Sequence, residues 1–247
     1  MQQTIARRAR AGSPIENGRV DSVARVYQEL RALIVSGQLP PGARISERAV
    51  VARMGSSRTP VRSALHRLHQ EGFVASASRG GDQRLIVTPL TQKDGRELFL
   101  IVGHLEGLGA FEAASLPTAR RRQIVRHLRQ LNRTLGVEAR RKRSPTRVFE
   151  LDEQFHRAFV DDVAGPRLQS LHHSFKPQIE RYVRLYVNIL LDTLPTSVKE
   201  HEAIIAAIES GDAKGAQRAV ETNWRNAAGR LASVISEHGE RGSWHFT

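Results

Sequence analysis

The sequence predicts a mainly α-helical protein in two parts: three helices with a short two-stranded ribbon, then an antiparallel all-helical bundle. Three observations predict it. Apolar residues recur at three- and four-residue spacing through most of the 247 residues, the period of helices that bury one face. Only residues 73–88 carry short β-rich runs, and a glycine-bearing loop separates them. The charge is also uneven. Residues 1–90 hold 14 arginines against six acids, +8 of the chain's +13, so the first part is suited to a polyanionic partner.

Residues 1–19, with Arg7, Arg8, Arg10, Gly12, Pro14 and Gly18, have no apolar period and are expected as a flexible basic tail. A first helix is expected over about 22–36, where Val23, Val26, Tyr27, Leu30, Leu33 and Ile34 form one stripe. Gly37 and Pro40-Pro41-Gly42 stop it. Ser46 caps a short second helix to about Met54, and Gly55 turns the chain. A third helix is expected from about Thr59 to Gln70, with Pro60 in its first turn, where a missing N–H is tolerated. Phe73–Ser76 and Leu85–Thr88 are the expected strands, flanking Ser78-Arg79-Gly80-Gly81-Asp82. Together these make a winged helix-turn-helix over residues 20–89, bounded by Pro89.

Residues 90–240 contain no expected strand. Thr91 with Asp94 reads as a capping box opening a helix to about Ser115, and Pro117 opens another to about Arg140. A charged link, Arg140-Arg141-Lys142-Arg143-Ser144-Pro145, follows. Four more helices are expected over about 146–163, 166–191, 197–210 and 212–238, the third opened by Ser197 with Glu200. Gly211-Asp212 joins the last two as C-cap and N-cap. Six helices of this length pack as a bundle. Residues 241–247 are expected as a tail.

The totals exclude several classes. Aromatics are 5% against 40% hydrophobic residues, which suits small helical cores rather than aromatic-rich sandwiches. The absence of cysteine excludes disulfides and thiolate metal sites. No window reaches the roughly 18 uncharged apolar residues of a membrane span, and the N-terminus has no hydrophobic signal core. A cytoplasmic chain with no membrane partner is expected.

On the third helix Val61, Ala64, Leu65 and Leu68 form the expected buried stripe, while Arg58, Arg62, His66 and His69 fall on another face. A guanidinium offers paired donors that match guanine O6 and N7, or a phosphate, so Arg58 and Arg62 are base-reading candidates. Arg48 lies early in the second helix, within reach of backbone or base edges. The hydroxyls of Ser57 and Thr59, with the free amides at the helix start, suit a phosphate. Arg79-Gly80 at the ribbon tip is placed to enter a minor groove.

This region resembles the GntR family of bacterial transcription regulators. The resemblance rests on Val26-Tyr27-Gln28-Glu29-Leu30-Arg31, Gly37-Gln38-Leu39-Pro40-Pro41-Gly42, Ser46-Glu47-Arg48, Ser57-Arg58-Thr59-Pro60-Val61-Arg62, and Leu68 with Glu71-Gly72-Phe73-Val74, in that order. It implies a homodimer whose recognition helices meet a short palindrome in double-stranded DNA. It also implies DNA contacts at Arg48, Arg58, Arg62 and Arg79-Gly80.

In the second part, Asp152 and His156 stand four apart on a helix whose inward stripe is Val148, Asp152, Phe155 and Phe159. His201 falls on an apolar stripe with Val198, Ile205 and Ile208. Asn223 falls on another with Ala216, Val220, Ala227 and Val234. Polar groups aimed inside a bundle are costly unless they meet one another, water or an ion. A carboxylate, two imidazoles and an amide oxygen would suit Zn²⁺, Ni²⁺ or Mn²⁺. A hydrogen-bonded buried network, with His201 satisfied in the core, is the other reading of the same residues.

Residues 91–238 resemble the all-helical ligand-binding domain of the FadR subfamily, the FCD domain, most plainly in the stretch from His201 to Ala213. The resemblance implies a metal held by Asp152, His156, His201 and a ligand on the last helix. That last position is Asn223 where the family has histidine, a weaker neutral ligand. Val102 stands where the family places an arginine that holds acidic effectors. His104, Arg181 and Arg184 could supply replacement contacts.

The expected function is a ligand-responsive, DNA-binding transcription regulator, a repressor and not an enzyme. A small-molecule effector, a metabolite, would shift the population of dimer geometries away from the operator spacing. The nearest alternative is a metal-free regulator that takes a larger acyl or apolar ligand. Rivals of other classes are a metal-dependent hydrolase at Asp152, His156 and His201, and an architectural DNA-binding protein with no effector.

Overall fold

A computed structural model describes residues 14–79, 82–141 and 144–243. The chain divides into two compact units: residues up to Leu33 with Ala43–Val87, and Ile34–Gly42 with Thr88 onward.

The first unit holds helix α1 (Pro14–Val35), strand β1 (Arg44–Ile45), helices α2 (Glu47–Met54) and α3 (Arg58–Gln70), and strands β2 (Val74–Arg79) and β3 (Asp82–Val87). Helix α1 begins at Pro14 rather than near Ser22, so residues 14–19 are helical and not part of a tail. Residues 1–13 lie outside the described residues. The three strands form an antiparallel sheet in the order β1-β3-β2. β1 is too short to show any alternation, and it exists only through its pairing with Leu85 and Ile86.

Local chemistry sets the helix-turn-helix. Ser46 caps α2 through its side chain, which accepts from the Ala49 amide. Gly55 ends α2 at φ 56°, a left-handed conformation that a Cβ would penalise. The buried face of α3 is Val61, Ala64, Leu65 and Leu68, as expected, with Pro60 added in its first turn. Val26, Tyr27 and Leu30 of α1 complete this core with Phe73, Val74 and Val87. Arg67 lies 3.9 Å over the Tyr27 ring and donates to Glu71, which also accepts from the Tyr27 hydroxyl. That cluster ties α1 to the end of α3. Burial and the Glu71 carboxylate push the Tyr27 phenol up to about 12, so it stays a donor.

The second unit holds α4 (Gln92–Ser115), α5 (Thr118–Arg141), α6 (Pro145–Asp161), α7 (Pro166–Leu190), a 3₁₀ turn (Leu191–Thr193), α8 (Leu194–Ser210) and α9 (Ala213–His238). α4 is the central helix and packs most extensively on α9. Their close approach depends on Gly103: a Cβ there would come within 2.7 Å of the Trp224 Cβ. By length and composition alone α4 is long and apolar enough to cross a membrane, yet just over half of that stretch is buried in the bundle, and Glu106 lies inside it.

Two expectations in this unit need correction. α8 starts at Leu194, so Ser197 and Glu200 are not a capping box. Instead Ser197 accepts from Arg230, and Glu200 accepts from Asn223, Asn226 and Arg230. A proline at the second helical position supports this earlier start, because its missing N–H lacks a helical partner there anyway. The expected tail beyond residue 240 is in part ordered, since Arg241 and Leu90 exchange backbone hydrogen bonds.

Candidate functional site

The candidate DNA interface is built on α2 and α3. With Val61, Ala64, Leu65 and Leu68 committed to the core, the helix period leaves Arg58, Thr59, Arg62 and His66 exposed together. Ser57 is exposed at the N-cap with extended backbone, and its hydroxyl makes no capping bond, so that hydroxyl and the first amides of α3 are available to an anion. Arg48 is exposed on α2. Arg62 is not solitary: its Nε donates to Glu47 Oε2 at 2.9 Å across the two helices, an exposed pair that orients the guanidinium. Arg79 ends β2 and Gly80 lies outside the described residues, so the ribbon tip adds no geometry.

The second candidate site is inside the bundle. A cavity of about 340 Å³ opens between α4, α6, α7, α8 and α9, within the size range of small-molecule sites. Phe99, Phe149, Ile179, Val183, Leu190 and Leu194 give it an apolar wall. Asp152, His156, Lys176, Arg184, Asn223 and Arg230 give it polar groups.

Asp152, His156 and His201 come together as expected, their donor atoms all within 4.8 Å of one another. The helix period does this for the first two, four residues apart on α6. His201 comes from α8, where its ring stacks on Phe155 with centroids 3.9 Å apart and planes 7° from parallel. Its Nδ1 lies 3.0 Å from Asn132 Oδ1. The Asn132 amide nitrogen donates to Val198 and Glu202, which fixes the amide so that its oxygen accepts from the His201 Nδ1–H. Nε2 of His201 therefore carries a lone pair. It is fully buried, has no hydrogen-bond partner, and lies 3.6 Å from Asp152 Oδ1. Burial holds the His201 imidazole well below its ordinary value, and the neighbouring His156 adds to this, so the ring is neutral. Burial raises the Asp152 carboxyl.

An orphaned neutral imidazole nitrogen facing a carboxylate is the donor arrangement a divalent transition metal accepts. The residues therefore fit such an ion. Asn223 is buried and lines the same cavity, but its amide nitrogen donates to Glu200, leaving only its carbonyl oxygen as a ligand atom.

Of the three expected effector contacts, the structure brings one to the cavity. Arg184 lines it. His104 is on the surface, 3.0 Å from Glu221, because it lies two residues from Glu106 on α4 and two residues turn a helix by roughly 200°. Arg181 is buried and donates to the Thr88 carbonyl, while burial lowers its basicity. Val102 is fully buried in the core and takes no part.

Sequence reasoning missed the group beneath the cavity. Glu106 is fully buried and surrounded by His156 Nδ1 at 2.7 Å, His172 Nε2 at 2.9 Å, Lys176 Nζ at 3.2 Å and Trp224 Nε1 at 2.7 Å. Burial alone would raise its carboxyl, but the Lys176 and His156 charges and the donated hydrogen bonds outweigh that and hold it well below the usual range. The one signal in the sequence was an acid inside an apolar, glycine-rich helix. Nothing in the spacing pointed to its partners.

Comparison with known proteins agrees with both halves. The pattern described as "Bacterial regulatory proteins, gntR family" matches residues 22–82, and the FCD domain matches residues 97–226. An uncharacterized HTH-type transcriptional regulator in an unstable DNA locus of Streptomyces ambofaciens is 30% identical over 209 residues, 85% of this chain and 84% of that one. The gluconate operon transcriptional repressor of Bacillus licheniformis is 24% identical, with 87% of each chain covered. Among solved structures, E. coli McbR/YncC shares the fold with a TM-score of 0.60 at 20% identity, covering 87% of this chain and 98% of its own. The chain belongs to the gntR family of bacterial regulatory proteins, with an FCD domain as its second half, and is a transcription regulator rather than an enzyme.

Proposed function

We propose that the chain is an effector-responsive repressor that acts in the cytoplasm as a homodimer on a short palindromic operator. The observation that carries this is the coexistence of an exposed basic face on α3 with a half-open, partly polar cavity in a separate helical unit. Arg58 and Arg62 are the base-reading residues, with His66 beside them. Ser57, Thr59 and Arg48 serve as phosphate contacts, and Arg79-Gly80 as a minor-groove contact. The gluconate operon relatives, named as repressors, support the direction of regulation.

Asp152, His156 and His201 would hold a divalent transition metal such as Zn²⁺, Ni²⁺ or Mn²⁺, with the Asn223 oxygen as a weak fourth ligand. When bound, the ion supplies open coordination positions for oxygen atoms of an effector. The rest of the pocket binds and orients that effector: the apolar wall takes its carbon skeleton, and Arg184 offers it positive charge. Occupancy reaches the DNA-binding half through α7. That helix lines the cavity with Ile179 and Val183, and through Arg181 and Tyr182 it bonds Thr88 and Thr91, the first residues after β3. An effector favouring one setting of α7 shifts the population of DNA-competent dimers.

Selection of bound duplexes from a random pool tests the DNA reading. A recurring palindrome is the expected outcome, whereas sequence-tolerant binding with a steep salt slope would favour an architectural protein. Elemental analysis of the purified untagged chain tests the metal. About one transition metal per chain, with a melting temperature lowered by chelator, is expected. A metal-free chain indifferent to chelator would direct the effector search to larger acyl or apolar ligands.

A further inference from the structure

Both imidazoles of the candidate metal site have a side-chain oxygen close to Nδ1. For His201 the oxygen is the neutral Asn132 amide, and for His156 it is the carboxylate of Glu106. We propose that Glu106 is a positioning residue for this site, holding His156 by Nδ1 so that Nε2 is the nitrogen presented to the ion. The proposal rests on the metal reading above and adds to it a residue from outside the ligand set.

Glu106 is suited to that task because it cannot turn away. Four donors surround its two oxygens, two near each: Trp224 Nε1 and His156 Nδ1 at Oε2, His172 Nε2 and Lys176 Nζ at Oε1. Three of these are hydrogen bonds, and His156 Nδ1 closes the remaining side of the group at 2.7 Å. The donors come from α6, α7 and α9, so the carboxylate on α4 is fixed against three helices at once. The glycine at 103 makes one of these contacts possible, because it lets the Trp224 backbone approach α4 closely enough for the indole to reach Oε2. Lys176 supplies the balancing positive charge. What remains for Glu106 to give His156 is direction and basicity, the two properties that an outer carboxylate lends to a metal-binding imidazole. In the present geometry the Nδ1–Oε2 contact is close but not aligned as a full hydrogen bond.

Two measurements on the full chain test this. Nitrogen NMR of the metal-free wild-type protein at mildly alkaline pH should find His156 protonated at Nδ1 and bare at Nε2. The opposite tautomer overturns the proposal. Glu106→Gln, which keeps the shape but removes the charge and one acceptor oxygen, should weaken Zn²⁺ binding by about 10- to 100-fold in competition with a chelator. A folded Glu106→Gln chain holding Zn²⁺ as tightly as wild type also overturns it. If the wild-type chain binds no Zn²⁺, the metal reading falls, and the tautomer alone then decides the positioning role. It likewise decides if the variant does not fold.

Discussion

His201 shows at the scale of one residue what the bundle interior asks of a histidine. Its ring is stacked on Phe155, held by Asn132, and neutral because burial disfavours the cation. The effect on stability has a definite sign. Above the ordinary value of 6.5 neither folded nor unfolded chain carries the proton, and His201 contributes nothing. Below it the unfolded chain takes up a proton that the folded chain refuses, so stability falls as the pH drops from there toward the depressed native value. One such group contributes up to about 1.4 kcal/mol per pH unit in that window. Melting curves in chelator between pH 7.5 and pH 5.5 should therefore decline less steeply for His201→Gln than for wild type. Parallel declines would mean that His201 titrates normally. Asp152, His156 and His201 were legible in the sequence, because each sits on an apolar stripe where a polar side chain needs a reason. Glu106 was not, since its partners His172 and Trp224 lie 66 and 118 residues away, and only the packing of α4 against α7 and α9 brings them together.

Among the elements, α7 touches both the cavity and the segment that precedes α4. It carries Pro177 in its interior, which removes one helical hydrogen bond from its middle. Beyond that point Tyr182 sits against Thr91 and donates to Asp94, while burial and the Asp94 carboxylate keep its phenol protonated far above the ordinary range. The same hydroxyl accepts from the Thr91 amide. Tyr182→Phe should cost about 0.5–1.5 kcal/mol of stability and speed hydrogen exchange at the Thr91 amide, leaving exchange in the winged unit unchanged. Unchanged protection at Thr91 would show that α7 does not hold the connector. Helix type and order were readable from period and caps, as with Thr91 and Asp212, each of which caps its helix, whereas Ser144 lay in the expected charged link and instead caps α6. Starts were read less well. Ser197 imitates a cap by its spacing from Glu200, but both side chains serve Arg230 inside the bundle. β1 has two residues and acquires its strand character only from β3.

At the scale of the whole molecule, the sequence divides its charge as the structure divides its units. The arginine-rich first part has a small core and an exposed basic helix, and the second part is a larger bundle with a cavity. Regulation of a particular operator depends most on α3 reading DNA sequence and not merely charge. The direct measurement is fluorescence anisotropy of a selected palindromic duplex and of a random duplex, each titrated with wild type and with Arg58→Ala at one fixed salt concentration. If Arg58 reads a base, the variant should lose roughly 1–3 kcal/mol on the selected duplex and much less on the random one. Equal losses on both would make Arg58 a phosphate contact and contradict the assignment of α3 as the reading helix.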